Sequence, residues 1–310
     1  MAACTCSVDL SNTGAPNCQP LPDVIVRLIL TPIKDSSGTL NRIDLTSLPT
    51  NSAIIDLINN SDDKARLYPL PTMENVTNER GDNITEEFPS GTVKFIRNGV
   101  KTFTGEMINS GAIYAGQLDS YRCATMGAYM VDAQGNLLGD ISVDGYLAPL
   151  AIDNGSWAVK SIDATDTTTP KVSLTFQWLK TLQDGDVGFI AAGDFASDVD
   201  WLDYNGLLDL DGTVIGTPTT TTFAMKVSTI FGSAASPQVV DGLTASDFEL
   251  EETSPTPGAI VITSVTESPA GQYNFVIPAA TSGDLLSLSI ASATKGYDDT
   301  NLAATVITIP

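Results

Sequence analysis

Residues 172–178, Val-Ser-Leu-Thr-Phe-Gln-Trp, set every second side chain in an apolar series and leave Ser173, Thr175 and Gln177 between them. Only an extended strand, whose side chains point alternately to opposite faces, turns that spacing into one apolar face. It predicts a half-buried strand with an aromatic-rich core side. The same habit fills the end of the chain. Short apolar runs begin at Phe223, Gly258, Gln272, Asp284 and Ala303, parted by Gly, Pro, Ser and Asp clusters. Several short strands at such spacing, with no helical pattern between them, predict a β-sandwich over 217–310.

The earlier part of the chain reads the same way, with interruptions. Residues 22–32 form a continuous apolar run bracketed by Pro22 and Pro32, long enough for one strand buried on both faces. Residues 93–105 contain Asn98-Gly99, a strong short-range hairpin signal, and are predicted to be two strands around that turn. Segments 125–132, 157–163 and 187–192 are weaker strand candidates, and 132–136 reads as a turn. Two stretches look helical. Residues 50–59 hold about two turns, with Asn51 or Ser52 as the cap. Residues 109–122 place Tyr114, Leu118 and Tyr121 on one face and end on Arg122, which suits a helix C-terminus. The Gly- and Thr-rich stretch 209–222 marks a linker. The expected organisation is therefore a mainly β domain with a flanking helix over 1–216, followed by the sandwich over 217–310. Within the first, residues 69–91 are long, polar and acidic, and are expected to be a long loop, either a solvated excursion or an arm that orders against a neighbouring subunit.

Composition narrows the chemistry. The 310 residues include 15 Lys+Arg against 37 Asp+Glu, a formal net charge of −22, and no histidine. Such a chain repels nucleic-acid phosphates and anionic lipid surfaces, so stable binding to either is not expected. Without histidine there is no Ser-His-Asp triad, no Cys-His dyad and no His-ligated zinc. Four cysteines, at 4, 6, 18 and 123, contain no C-x-x-C; the expectation is three thiols in a terminal segment and Cys123 buried in the core. Asp194, Asp198, Asp200, Asp203, Asp209 and Asp211 crowd one segment. They miss the calcium-loop offsets and lack the closing Glu, and Asp also populates turns. Carboxylate pairs could run glycoside hydrolysis, but 37 acids make any such pair uninformative. No catalytic residue, metal or cofactor is assigned, and the chain is not expected to be an enzyme. The N-terminus lacks a basic region and an apolar core, which predicts a cytoplasmic start.

Residues 264–300, SVTESPAGQYNFVIPAATSGDLLSLSIASATKGYDDT, followed by AATVITIP, resemble the immunoglobulin-like modules appended to bacteriophage virion proteins. The points of likeness are a Val-Thr strand, Gly-x-Tyr-x-Phe, Gly-Asp-x-Leu-x-Leu, Lys-Gly-Tyr and a closing Val-Ile-Thr strand. The larger N-terminal part is similar to a phage tail tube or tail-ring subunit, and residues 68–107 have the character of structural proteins from phages of Bacteroidetes-type hosts. The resemblance implies a virion structural protein assembled in the host cytoplasm. Its copies would form hexameric rings that stack through long loops and contact other tail proteins, around a lumen that passes double-stranded DNA without holding it. It also implies an alternative, a decoration or carbohydrate-binding adhesin. There the C-terminal domain would touch host glycans, and Trp201, Tyr204 or Tyr297 are the candidates in the chain for stacking on sugar rings.

Overall fold

The computed structural model describes residues 21–233, 235–291 and 296–310. It is mainly β, in two bodies with separate apolar cores. In the first, strand Ile25–Pro32 pairs antiparallel with Met126–Asp132. That strand passes to Leu150–Ile162, then Lys171–Trp178, Lys101–Ile108 and Glu74–Arg80. The ends of this sheet come together, because Leu70 N–H donates to the Leu28 carbonyl (2.9 Å) and Met73 N–H to that of Val26 (2.7 Å). The sheet thus curls around its own interior.

The alternation of 172–178 is what fills that interior. Val172, Leu174, Phe176 and Trp178 are all fully buried. Phe176 stacks on Trp157 at 5.5 Å and on Phe103 at 5.1 Å, and meets the edge of Trp178 at 4.9 Å. Such arrangements add to simple area burial. Strand Leu150–Ile162 pairs with Met126–Asp132 at its start and with Lys171–Trp178 along the rest, its register with the latter shifting between Asp153 and Ala158. There Ser156 Oγ donates to the Asp153 carbonyl and accepts from Gln177 N–H, replacing ladder bonds lost at the bulge. Helix Ala112–Asp119 packs over the core through Leu118, whose carbonyl accepts from Trp157 Nε1 (2.9 Å). It ends earlier than expected and passes into a 3₁₀ turn, Ser120–Cys123.

Strand Ile25–Pro32 is apolar without alternation because both faces are covered. Leu28 and Leu30 point into the curled sheet, while Ile29 joins an outer cluster with Ile54, Tyr129, Leu147 and Trp201. Helix Asn51–Ile58 supplies Ile54 and Ile58 to that cluster. Its cap is Thr50, whose Oγ1 accepts from Ala53 N–H, rather than Asn51 or Ser52.

The second body is a β-sandwich. A sheet carrying Thr222–Ser233, Gln272–Val276 and Ser264–Glu267 faces one carrying Phe248–Ser254, Leu285–Ile290 and Val306–Thr308. Phe223 and Phe275 stack at 4.7 Å between them, and the Tyr273 hydroxyl is tied to the Val240 carbonyl (2.8 Å). A one-turn helix, Thr300–Ala303, stands where none was expected. The supposed linker 209–222 is in its first half a strand: Leu208–Ile215 pairs with Thr222–Ser233 and, in parallel, with Tyr297–Asp298. The second body therefore begins at Leu208. Leu210 explains why, since it alternates into the sandwich core and is fully buried there.

Polar contacts close the seam between the bodies. Arg66 Nη1 meets Asp298 Oδ2 at 2.6 Å, and Gln117 Nε2 donates to Asp209 Oδ2 at 3.0 Å. Burial raises the Asp209 carboxyl above its ordinary value despite the Gln117 bond, with Asp298 and Asp211 adding to the effect. A carboxyl whose folded pKa is raised opposes folding once ionised, and that penalty fades as pH falls through the folded pKa. Asp209→Asn keeps an acceptor for Gln117 and removes the charge. It is expected to raise Tm at pH 7, with the gain over wild type shrinking as pH is lowered through the raised Asp209 pKa, as followed by thermal melts across pH. No helix among the described residues is long and apolar enough to cross a membrane.

Candidate functional site

Strands Glu74–Arg80 and Lys101–Ile108 lie in the curled sheet, and the chain between them leaves it. It forms a separate two-stranded hairpin, Ile84–Glu87 with Val93–Arg97, closed by Pro89-Ser90-Gly91. Phe88 N–H donates to Thr92 O (2.9 Å) and Gly91 N–H to Phe88 O (2.8 Å). Gly91 takes φ 78°, a left-handed conformation that glycine adopts without strain. Every residue of both strands is exposed. That includes Val93 (59%), Phe95 (55%) and Ile96 (53%), with Ile84 and Phe88 beside them.

The register puts Thr85 opposite Phe95 and Glu87 opposite Val93 on one face, and Glu86 opposite Lys94 on the other. A lone two-stranded hairpin has no layer to bury such side chains against and is marginal in water. Contiguous exposed apolar side chains of this kind mark an interaction surface.

The arm is free along its length but clamped at its root. Gly81 N–H donates to Val100 O (3.0 Å), and a Cβ on Gly99 would collide with the Gly81 carbonyl, so only glycine permits that crossing. Arg80 grips Asp184 with Nε (3.1 Å) and Nη2 (3.0 Å), and also reaches the carbonyls of Gly99 and Leu182. Lys101 Nζ stands 3.8 Å from the same carboxylate. The Arg80 hydrogen bond holds the Asp184 carboxyl below its ordinary value. A folded pKa lowered in this way supports the root above the unfolded pKa, and the support goes as pH falls through the folded one.

The arm differs from the one expected at 69–91. Tyr68–Pro69 and Glu74–Arg80 belong to the curled sheet, and the projecting hairpin runs on past Gly91 to Gly99. The hairpin expected around Asn98-Gly99 does not form: Val93–Arg97 pairs backwards with Ile84–Glu87, and Asn98-Gly99 is the bend at the root. The signal that marks the true turn is Pro89-Ser90-Gly91 between two runs of strand formers.

The other candidates fall elsewhere. Cys4, Cys6 and Cys18 lie outside the described residues, and Cys123 is exposed rather than in the core. Asp194 and Asp200 serve turns, accepting from Ala191 N–H (3.2 Å) and Leu202 N–H (2.9 Å). Among the described residues no three His, Cys, Asp or Glu side chains converge as a metal-binding group. Trp157 and Trp178 are core residues. Trp201 (2% exposed) and Tyr204 (9%) pack edge to face at 5.5 Å, and the Tyr204 hydroxyl is spent on Asn51 Oδ1 (2.8 Å). Neither has a free ring face for a sugar, because the outer apolar cluster uses both. Tyr297 is half-buried at the seam. A scan against protein-family models and searches of curated proteins and of solved structures all return no match for this chain.

Proposed function

We propose that the chain is a self-assembling structural subunit of a virion, a tail tube or tail-ring protein whose copies associate through the projecting arm. The observation that carries this reading is the arm itself. Its strands are exposed throughout, its apolar side chains have no partner layer among the described residues, and its root is fixed by Arg80 and Asp184. A second protein surface would satisfy those side chains, and a repeated head-to-tail contact of that kind builds rings or open stacks. The curled β body with its flanking helix is the architecture that the resemblance implies for such a subunit. Rings of six, stacked on one another and on other tail proteins, would enclose a lumen. The net charge of −22 suits a conduit for double-stranded DNA, since like-charge repulsion keeps phosphates off the wall.

Negative-stain electron microscopy of the purified full chain, with its mass measured in solution, tests the reading. Annular particles or tubes with a central hole are expected. A monomer at every concentration, with no annular particles on the grid, would overturn it.

A further inference from the structure

The seam between the two bodies holds a cleft of about 460 Å³, lined among others by Arg27, Tyr114, Gln117, Asn205, Phe231 and Tyr297. It lies away from the arm, and a ligand bound there would not depend on assembly. Arg27 is 3% exposed and sits on strand Ile25–Pro32. Its Nε donates to the Leu70 carbonyl (2.6 Å), and its Nη1 to the carbonyls of Leu202 (2.6 Å) and Trp201 (3.2 Å). These bonds hold the guanidinium plane rigid and leave Nη2 over. Among the described residues Nη2 has no hydrogen-bond partner. It is not sealed off either, because the buried, unpartnered side-chain nitrogen found among them is Trp201 Nε1. Buried arginines are ordinarily paired with a carboxylate or phosphate. Arg27 forms no ion pair among the described residues; burial lowers its pKa, and the carboxylates of Asp203 and Asp200 oppose that through space.

The other lining groups are unspent in a complementary way. The hydroxyls of Tyr114 and Tyr297 make no hydrogen bond among the described residues. Burial pushes the Tyr114 phenol up, so it keeps its proton and remains a donor. Gln117 and Asn205 use their amide nitrogens on Asp209 Oδ2 and the Asp203 carbonyl, which leaves an acceptor oxygen on each. Phe231 and Tyr297 add ring surface. The cleft lining therefore offers a charged donor, neutral donors, two acceptor oxygens and aromatic ring surface. Clefts of this size that combine an apolar lining with a few convergent polar groups are the usual form of a small-molecule site.

We propose that this cleft binds a carboxylate-bearing sugar. The carboxylate is held by Arg27 Nη2 and the Tyr114 hydroxyl, the ring lies against Tyr297 and Phe231, and the hydroxyls are read by Gln117 and Asn205.

Calorimetric titration of the full chain with glucuronate, glucose and benzoate tests each element. Glucuronate is expected to bind, and glucose at least about tenfold more weakly, since hydrogen bonds to a charged group carry the difference. Benzoate, which has a carboxylate and a ring but no hydroxyls, is expected to bind more weakly than glucuronate. Arg27 also ties three backbone carbonyls, so its removal would confound binding with folding. Tyr114→Phe removes one hydroxyl and keeps the ring, and is expected to weaken glucuronate roughly tenfold with an unchanged melting curve. Tyr297→Ala is expected to weaken glucuronate and benzoate together. No heat from glucuronate, equal affinity for glucuronate and glucose, benzoate binding as tightly as glucuronate, or an unaffected Tyr114→Phe variant would each overturn the assignment.

Discussion

Val93→Asp combined with Phe95→Asp is expected to leave the chain folded and abolish its assembly. Both side chains are more than half exposed on the arm, on the face that also carries Thr85 and Glu87. Surface substitutions away from packed features usually change stability by less than about 0.5 kcal/mol, so the melting curve of the curled sheet should barely move. Association is another matter. Fully burying a Val or Phe side chain is worth about 1.5–3 kcal/mol each, and a carboxylate put in its place must be desolvated without a partner. Two such changes at every subunit contact should raise the half-assembly concentration by well over a hundredfold, taking about 1.4 kcal/mol per factor of ten. Sedimentation velocity across a concentration series measures this, with circular dichroism melts as the control for folding. Assembly at the wild-type concentration would take the arm out of the interface. The root supplies a contrast: replacing Asp184 with Asn weakens the Arg80 clamp while sparing the apolar face, so its effect on assembly should be far smaller.

Much of this architecture is legible in the residues, and the misses share a cause. Wherever one face of an element is buried, the period survives in the sequence. Val172, Leu174, Phe176 and Trp178 mark the core side of their strand, and the unbroken run near Leu28 to Leu30 marks a strand covered on both sides. The arm has no buried face, so nothing forces its side chains to alternate. Its register rests on turn residues alone, and two turn signals compete. Asn98-Gly99 is the stronger local hairpin motif, but the glycine there is required by the close crossing with Gly81, not by a turn. The strand at Leu208–Ile215 is hidden similarly, by Asp209, Asp211 and Thr213 on its outer side and Gly212 on its core side, a composition that looks like a linker. For the seam cleft, sequence could not bring Arg27, Tyr114, Asn205 and Tyr297 together. They come from four separate elements, and their convergence is a product of the tertiary fold.

Phe176→Ala is expected to produce the largest stability loss of any single change in the curled sheet. Its ring is fully buried and central: it stacks on Trp157 and Phe103, and the edge of Trp178 closes the remaining side. Truncation removes the transfer free energy of the ring and leaves a cavity walled by aromatic rings. Those rings are themselves pinned. Trp157 Nε1 is tied to the Leu118 carbonyl, and Trp178 Nε1 to Asn78 Oδ1 at 2.8 Å. Collapse into the space would break one of these bonds, so little of the loss is recovered by relaxation. Buried Phe→Ala changes cost about 3–5 kcal/mol, and the pinned walls place this one at the upper end. Urea unfolding followed by tryptophan fluorescence is the direct measurement, because Trp157 and Trp178 both report on this site. The sandwich contains no tryptophan and has its own core around Phe223, Tyr273 and Phe275, so a backbone probe should find its transition nearly unmoved. A loss below about 1 kcal/mol would mean that the aromatic cluster is not the stabilising centre of the curled sheet. A matching shift in the sandwich transition would mean that the polar seam of Arg66, Asp298, Gln117 and Asp209 couples the two bodies into one cooperative unit.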